Sequence, residues 1–168
     1  MITIEVEGSP APQGSKSVVM MKGRPVMLEG KSKNGRAAHK AWRTQVHVEC
    51  ATWKGRMGMV EGPLRVRIAF RLERPAVGAF RTFHATKPDL DKLARAVLDS
   101  MTSSGIIADD SRIAQLWLAK HYVTDDTVTG CTIQIESLAK EEATARDVLK
   151  AESRNTRSRT TNPTKERA

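Results

Sequence analysis

Between residues 63 and 72 the chain alternates, with Leu64, Val66, Ile68 and Phe70 on one side and Arg65, Arg67 and Arg71 on the other. A period of two is the signature of an extended strand, so this segment has one dry face and one wet face. A dry sheet face has to be buried, and a helix with an apolar stripe is a natural cover. Residues from about Asp89 to Met101 supply one. Leu90, Leu93, Ala94, Val97 and Met101 form its stripe, and Ser103-Ser104-Gly105 marks its end. A second helix is predicted over 37–54, from the spacing of Ala38, Trp42, Gln45-Val46, Glu49-Cys50 and Trp53. Further strands are predicted at 2–7, 112–122 and 128–137, the last two joined by Thr124-Asp125-Asp126. The order β-α-β-α-β-β predicts an α+β fold: a single domain with a mixed β-sheet and two main helices packed on one face.

The remaining segments say less. Residues 17–36 hold short apolar pieces split by Lys22-Gly23-Arg24 and fit either a hairpin or a flap. From Lys140 the apolar pattern fades. A frayed helix is predicted to about Glu152, and then a disordered basic tail over 153–168, where Arg154, Arg157, Arg159, Lys165 and Arg167 stand against Glu166 alone. The folded domain is therefore expected over 1–138, with the frayed helix and tail over 139–168.

The formal charge of +9 favours a polyanionic partner, without separating nucleic acid from an anionic membrane surface or an acidic protein. With aromatic residues at 4%, contacts with a sugar-phosphate backbone are expected to outweigh base stacking. No stretch has the apolar length of a membrane helix, and the opening Met1-Ile2-Thr3-Ile4-Glu5-Val6-Glu7 lacks the pattern of an export signal. Cys50 and Cys131 are too few for a disulfide scaffold and read as small core residues in a reducing cytoplasm. His39, His47 and His121 lack metal-like clustering and read as structural.

The densest chemistry lies in Lys87-Pro88-Asp89-Leu90-Asp91-Lys92-Leu93-Ala94-Arg95, followed after the helix by Asp109-Asp110. Carboxylates in such number suit a hard cation such as Mg²⁺, which phosphodiester hydrolysis employs. On a regular helix Asp89 and Asp91 would diverge by about 200°. They converge only if Asp89 still belongs to an extended lead-in, which Pro88 favours. The helix spans roughly 18 Å, and residues 102–109 can reach back over up to about 26 Å, with Ile106-Ile107 pinning the return. Spacing alone favours a plainer account: Thr86-Lys87-Pro88-Asp89 as a capping box and Asp109-Asp110-Ser111 as a turn. Lys92 and Arg95 are equally at home in surface ion pairs or beside a phosphate.

These residues resemble the RusA family of Holliday junction resolvases. The likeness is carried by Lys87-Pro88-Asp89-Leu90-Asp91-Lys92-Leu93, by Ala96-Val97-Leu98-Asp99, and by Asp109-Asp110-Ser111 with Lys120 beyond. The opening Gly8-Ser9-Pro10-Ala11-Pro12-Gln13-Gly14-Ser15-Lys16 adds a weaker match. The similarity spans roughly residues 2–137. It implies a small homodimeric endonuclease, often encoded by phages or prophages, that depends on Mg²⁺ (Mn²⁺ as an alternative) and nicks branched DNA symmetrically. Such an enzyme would work in the cytoplasm of a bacterial or phage-infected cell. The family's catalytic carboxylates fall on Asp89, Asp91 and Asp110. Its catalytic lysine falls on Arg95, which keeps the charge but is no proton donor near neutral pH; Lys92 is the alternative. Candidate DNA contacts are Lys16, Arg65, Arg67, Arg71, Arg81, His84, Lys87 and Lys120. Two rival readings remain: a basic protein that binds branched DNA without cutting it, and a nuclease for other branched or flapped DNA.

Overall fold

The computed structural model describes residues 1–14, 16–21, 23–29, 33–75 and 82–160. In chain order these form β1 (Ile2–Glu7), β2 (Lys16–Met21), β3 (Arg24–Glu29), α1 (Lys33–Met57), β4 (Leu64–Leu72), α2 (Leu90–Ser104), a 3₁₀ turn (Asp110–Arg112), β5 (Ile113–Tyr122), β6 (Gly130–Ser137) and α3 (Ala139–Thr160). The predicted α+β mixed sheet is present. Its order is β1-β6-β4-β5, antiparallel except for the β4–β5 pair, which is parallel. Parallel neighbours cannot be joined by a tight turn, and α2 provides the crossover between them.

The alternation of β4 decides which way the sheet faces. Leu64, Val66, Ile68 and Phe70 are each at most 1% exposed, and Ile133 and Ile135 of β6 lie beside them. Trp42, Val46 and Cys50 of α1 and Leu93, Val97 and Met101 of α2 close over this layer. Burying one such side chain fully is worth roughly 1.5–3 kcal/mol, so this single core is what holds the helices to the sheet. Cys50 and Cys131 both sit inside it as free thiols. Burial raises the pKa of each, that of Cys50 to about 12.

Several boundaries differ from the sequence reading: α1, predicted over 37–54, begins four residues earlier and ends three later. Of the two alternatives for residues 17–36 the hairpin is the one present, β2 and β3 pairing antiparallel in a two-stranded sheet of their own. α2 continues three residues past Met101, because Ser104 turns its hydroxyl onto the Met101 carbonyl and the stop comes at Gly105, whose φ of 72° is open mainly to glycine. The third helix continues to Thr160, past the predicted end near Glu152. The stretch Lys150-Ala151-Glu152 with Arg154 and Arg157 is rich in good helix formers. Residues 161–168 lie outside the described residues.

Candidate active site at the entry to α2

The approach to α2 is gripped from the side by β5. Lys120 and Tyr122 are two apart on that strand and share one face. The Lys120 ammonium donates to the carbonyl oxygens of Thr86 (2.7 Å) and Pro88 (2.9 Å). The Tyr122 hydroxyl donates to the Phe83 carbonyl at 3.4 Å, and its ring lies 4.9 Å from the His84 ring. His84 is buried, and burial, together with the nearby Lys120 charge, lowers its pKa below the ordinary histidine value. Residues 83–88 are thus held along the strand just before the acidic segment begins.

Asp89 emerges from that lead-in with φ −68° and ψ 136°, an extended conformation. It occupies the N-cap position of α2, yet its carboxylate makes no capping bond; only its carbonyl accepts, from Leu93 N–H. The capping box suggested by Thr86 and Asp89 is therefore not formed. The carboxylate instead pairs with Lys92 Nζ at 2.8 Å, one helical turn on. This contact lowers the Asp89 pKa and raises that of Lys92, so both stay charged. Asp91 and Arg95 stand exposed on α2, near enough for their charges to act on Lys92.

The second acidic pair splits its duties. Asp109 caps the 3₁₀ turn, its carboxylate accepting from Ser111 N–H at 2.9 Å, and Ser111 holds its pKa down. The turn reading was right for this residue. Asp110 opens the turn, exposed, and the turn packs against α2. Ile106 and Ile107 are fully buried and pin the return segment, with Val60 N–H donating to the Ile106 carbonyl. One backbone condition for bringing the acids together, an extended Asp89, is met; Asp110 lies just before the start of β5, where Ile113 pairs with Leu64, whereas Lys120 near the other end of that strand bonds the Pro88 carbonyl.

The side chains do not complete a cage. Among the described residues no three His, Cys, Asp or Glu side chains stand together so as to hold a metal ion. The all-oxygen donor set suits a hard cation; its placement, with Asp89 engaged by Lys92, is not a preformed binding site.

The other candidates scatter. Arg65 donates to Gln115 and to the carboxylates of Glu136 (3.0 Å) and Glu141 (3.3 Å). Arg71 holds Glu5, Thr132 and the Val128 carbonyl. Both are on the sheet face turned away from α1 and α2, as is Arg67, which lies 5.8 Å from the Trp117 ring. Lys87 is exposed beside Asp89 and contributes to lowering its pKa. Lys16 starts β2, but its side chain, like all of Arg81, lies outside the described residues. Sequence reasoning left out Pro12, Gln13 and Tyr122. The Gln13 N–H donates to the Lys92 carbonyl at 3.0 Å, and Pro12 joins Lys87, Pro88, Asp89 and Lys92 around a surface hollow of about 420 Å³. The breaker-rich 8–14 segment was the available signal for the first two. Tyr122, the only tyrosine of the chain, carried none.

With this geometry in place, comparison with known proteins is informative. The family model described as Endodeoxyribonuclease RusA matches residues 7–136. That span runs from the end of β1 almost to the end of β6 and includes every element that places the acidic residues. No individual curated protein matches the chain.

Proposed function

The chain belongs to the RusA endodeoxyribonuclease family, and on that footing we propose that it cuts four-way DNA junctions by paired nicks at the entry to α2. The observation that carries this reading is Asp89. Its carboxylate stands at a helix start without serving as a cap, exposed on a hollow lined by cations. A simple helix cap would have been spent on backbone N–H groups.

In this reading Asp89, Asp91 and Asp110 would hold Mg²⁺, with Mn²⁺ as a substitute. Such an ion supplies charge stabilisation on the phosphate and a more acidic attacking water. The chain's own residues supply the rest. Lys87 and Lys92 draw the scissile phosphate into the hollow, and Lys92 or Arg95 offsets charge that builds on it. Lys92, already in contact with Asp89, is the better placed of the two. Two nicks placed symmetrically require two such sites on one particle, hence a two-fold dimer.

The lack of a preformed three-residue cage among the described residues favours one rival, a protein that binds branched DNA without cutting it. A substrate panel decides. The wild type should cut a synthetic four-way junction with Mg²⁺ present and not with chelator, and should prefer it over fork, flap and linear duplex. Asp89→Asn and Asp110→Asn should each lower the rate at saturating junction by about 100-fold or more, comparable to removing a main charge stabiliser from an active site. Binding without cutting under every metal condition would establish the rival. A preference for flaps would move the substrate while keeping the site.

A further inference from the structure

A lysine on an edge strand of a basic protein is normally a solvated charge, available to any phosphate that approaches. Lys120 is not placed that way. It lies on the core-facing side of β5, between Leu118 and Tyr122, in register with Phe70 of β4. Its ammonium is directed onto two main-chain carbonyls, Thr86 at 2.7 Å and Pro88 at 2.9 Å. Two of its three protons are thereby committed to the backbone. The second of those carbonyls belongs to the residue directly before Asp89, so the position of the ammonium fixes the peptide from which Asp89 departs.

Hydrogen bonds from a charged donor are the stronger kind, commonly about 1.5–3 kcal/mol each, and a pair from one atom constrains position as well as distance. Tyr122 adds a weaker tie upstream at Phe83. On the other flank, Gln13 N–H bonds the Lys92 carbonyl within the first turn of α2. Asp89 therefore sits between two cross-braces, one from β5 and one from the loop after β1.

We propose that Lys120 is a positioning residue for the nuclease site: it sets the Asp89 carboxylate by clamping the Thr86 and Pro88 carbonyls, and it is not a DNA contact. The inference rests on the nuclease reading above. A displaced reacting group costs on the order of 100-fold in rate, and that is the loss expected when the clamp is removed.

The test uses the full-length protein and a four-way junction, with binding measured in chelator and cleavage measured at saturating DNA. Lys120→Met, which keeps the length and apolar stem, should bind with unchanged affinity and salt dependence yet cut about 100-fold more slowly. Lys120→Arg, which keeps the donors, should recover a large part of the rate. Should the Met variant not fold, the Arg variant decides alone: a folded Arg protein that binds normally must still cut. The proposal is overturned if Lys120→Met cuts at the wild-type rate. It is equally overturned if that variant loses binding with a salt slope smaller by about one unit, the mark of a lost phosphate contact. A wild type that cuts no DNA would instead sink the nuclease reading itself, an outcome distinguishable from both.

Discussion

Arg65 and Arg71 on β4 and Lys87 and Lys92 around the start of α2 are the same kind of residue in a sequence, yet they are bonded in opposite ways. The two arginines are matched by carboxylates of neighbouring elements, Glu136 and Glu141 for one and Glu5 for the other. They knit β1, β4, β6 and α3 together across the open face of the sheet. Around α2 the cations outnumber their partners and gather at one acidic residue, Asp89, whose pKa they lower jointly. Positive charge that is locally neutralised strengthens the fold. Positive charge in local excess is left to meet a polyanion.

Three experiments test that contrast, beginning with the largest effect. Arg71→Ala removes an ion pair and two further hydrogen bonds, so it should destabilise the protein by about 1–2 kcal/mol in chemical denaturation. The salt dependence of junction binding should not change. If that slope falls while stability holds, Arg71 is a DNA contact and the two regions are not distinct. Lys87→Ala should do the reverse. Stability should hold, affinity should drop a few-fold, and the salt slope should shrink by about one unit; an unchanged slope would leave the excess charge at α2 without a role in binding.

The smallest effect concerns His84, whose neutral form is favoured by burial and by Lys120. A histidine with a folded pKa below its unfolded value of 6.5 binds fewer protons in the native state. Its contribution is fully present above pH 6.5 and is lost as the pH falls from there towards the folded pKa. His84→Phe keeps a ring against Tyr122 and should flatten the melting-temperature profile in that window. A wild-type profile that is already flat there would contradict the assignment.

The fold was legible wherever a residue's own burial dictates its spacing. The alternation of β4 and the stripe of α2 announce themselves because each buried side chain must recur on one face. For residues 17–36 the short apolar pieces allowed a hairpin without deciding for it, and the extra length of α3 left no apolar period to read. The site divided along the same line. An extended lead-in up to Asp89 was suggested by Pro88, whose ring restrains its own φ and the preceding Lys87. That Asp109 is a cap and Asp89 is not could not follow from sequence, because both sit where carboxylates commonly cap. Nor could the fate of the arginines, which depends on Glu5 and Glu136, more than 60 residues away in the chain. Pairings across a sheet leave no local trace.

The two core thiols give the protein an internal gauge of its own opening. Cys50 on α1 and Cys131 on β6 are both 0% exposed, and their raised pKa values keep them protonated and unreactive while the core is closed. A thiol reagent can reach them only when the helical layer parts from the sheet. Alkylation kinetics should therefore report the free energy of that separation under native conditions, residue by residue and without denaturant. If DNA braces the first turn of α2, junction binding should slow the labelling of Cys50, a readout of occupancy that needs no cleavage at all.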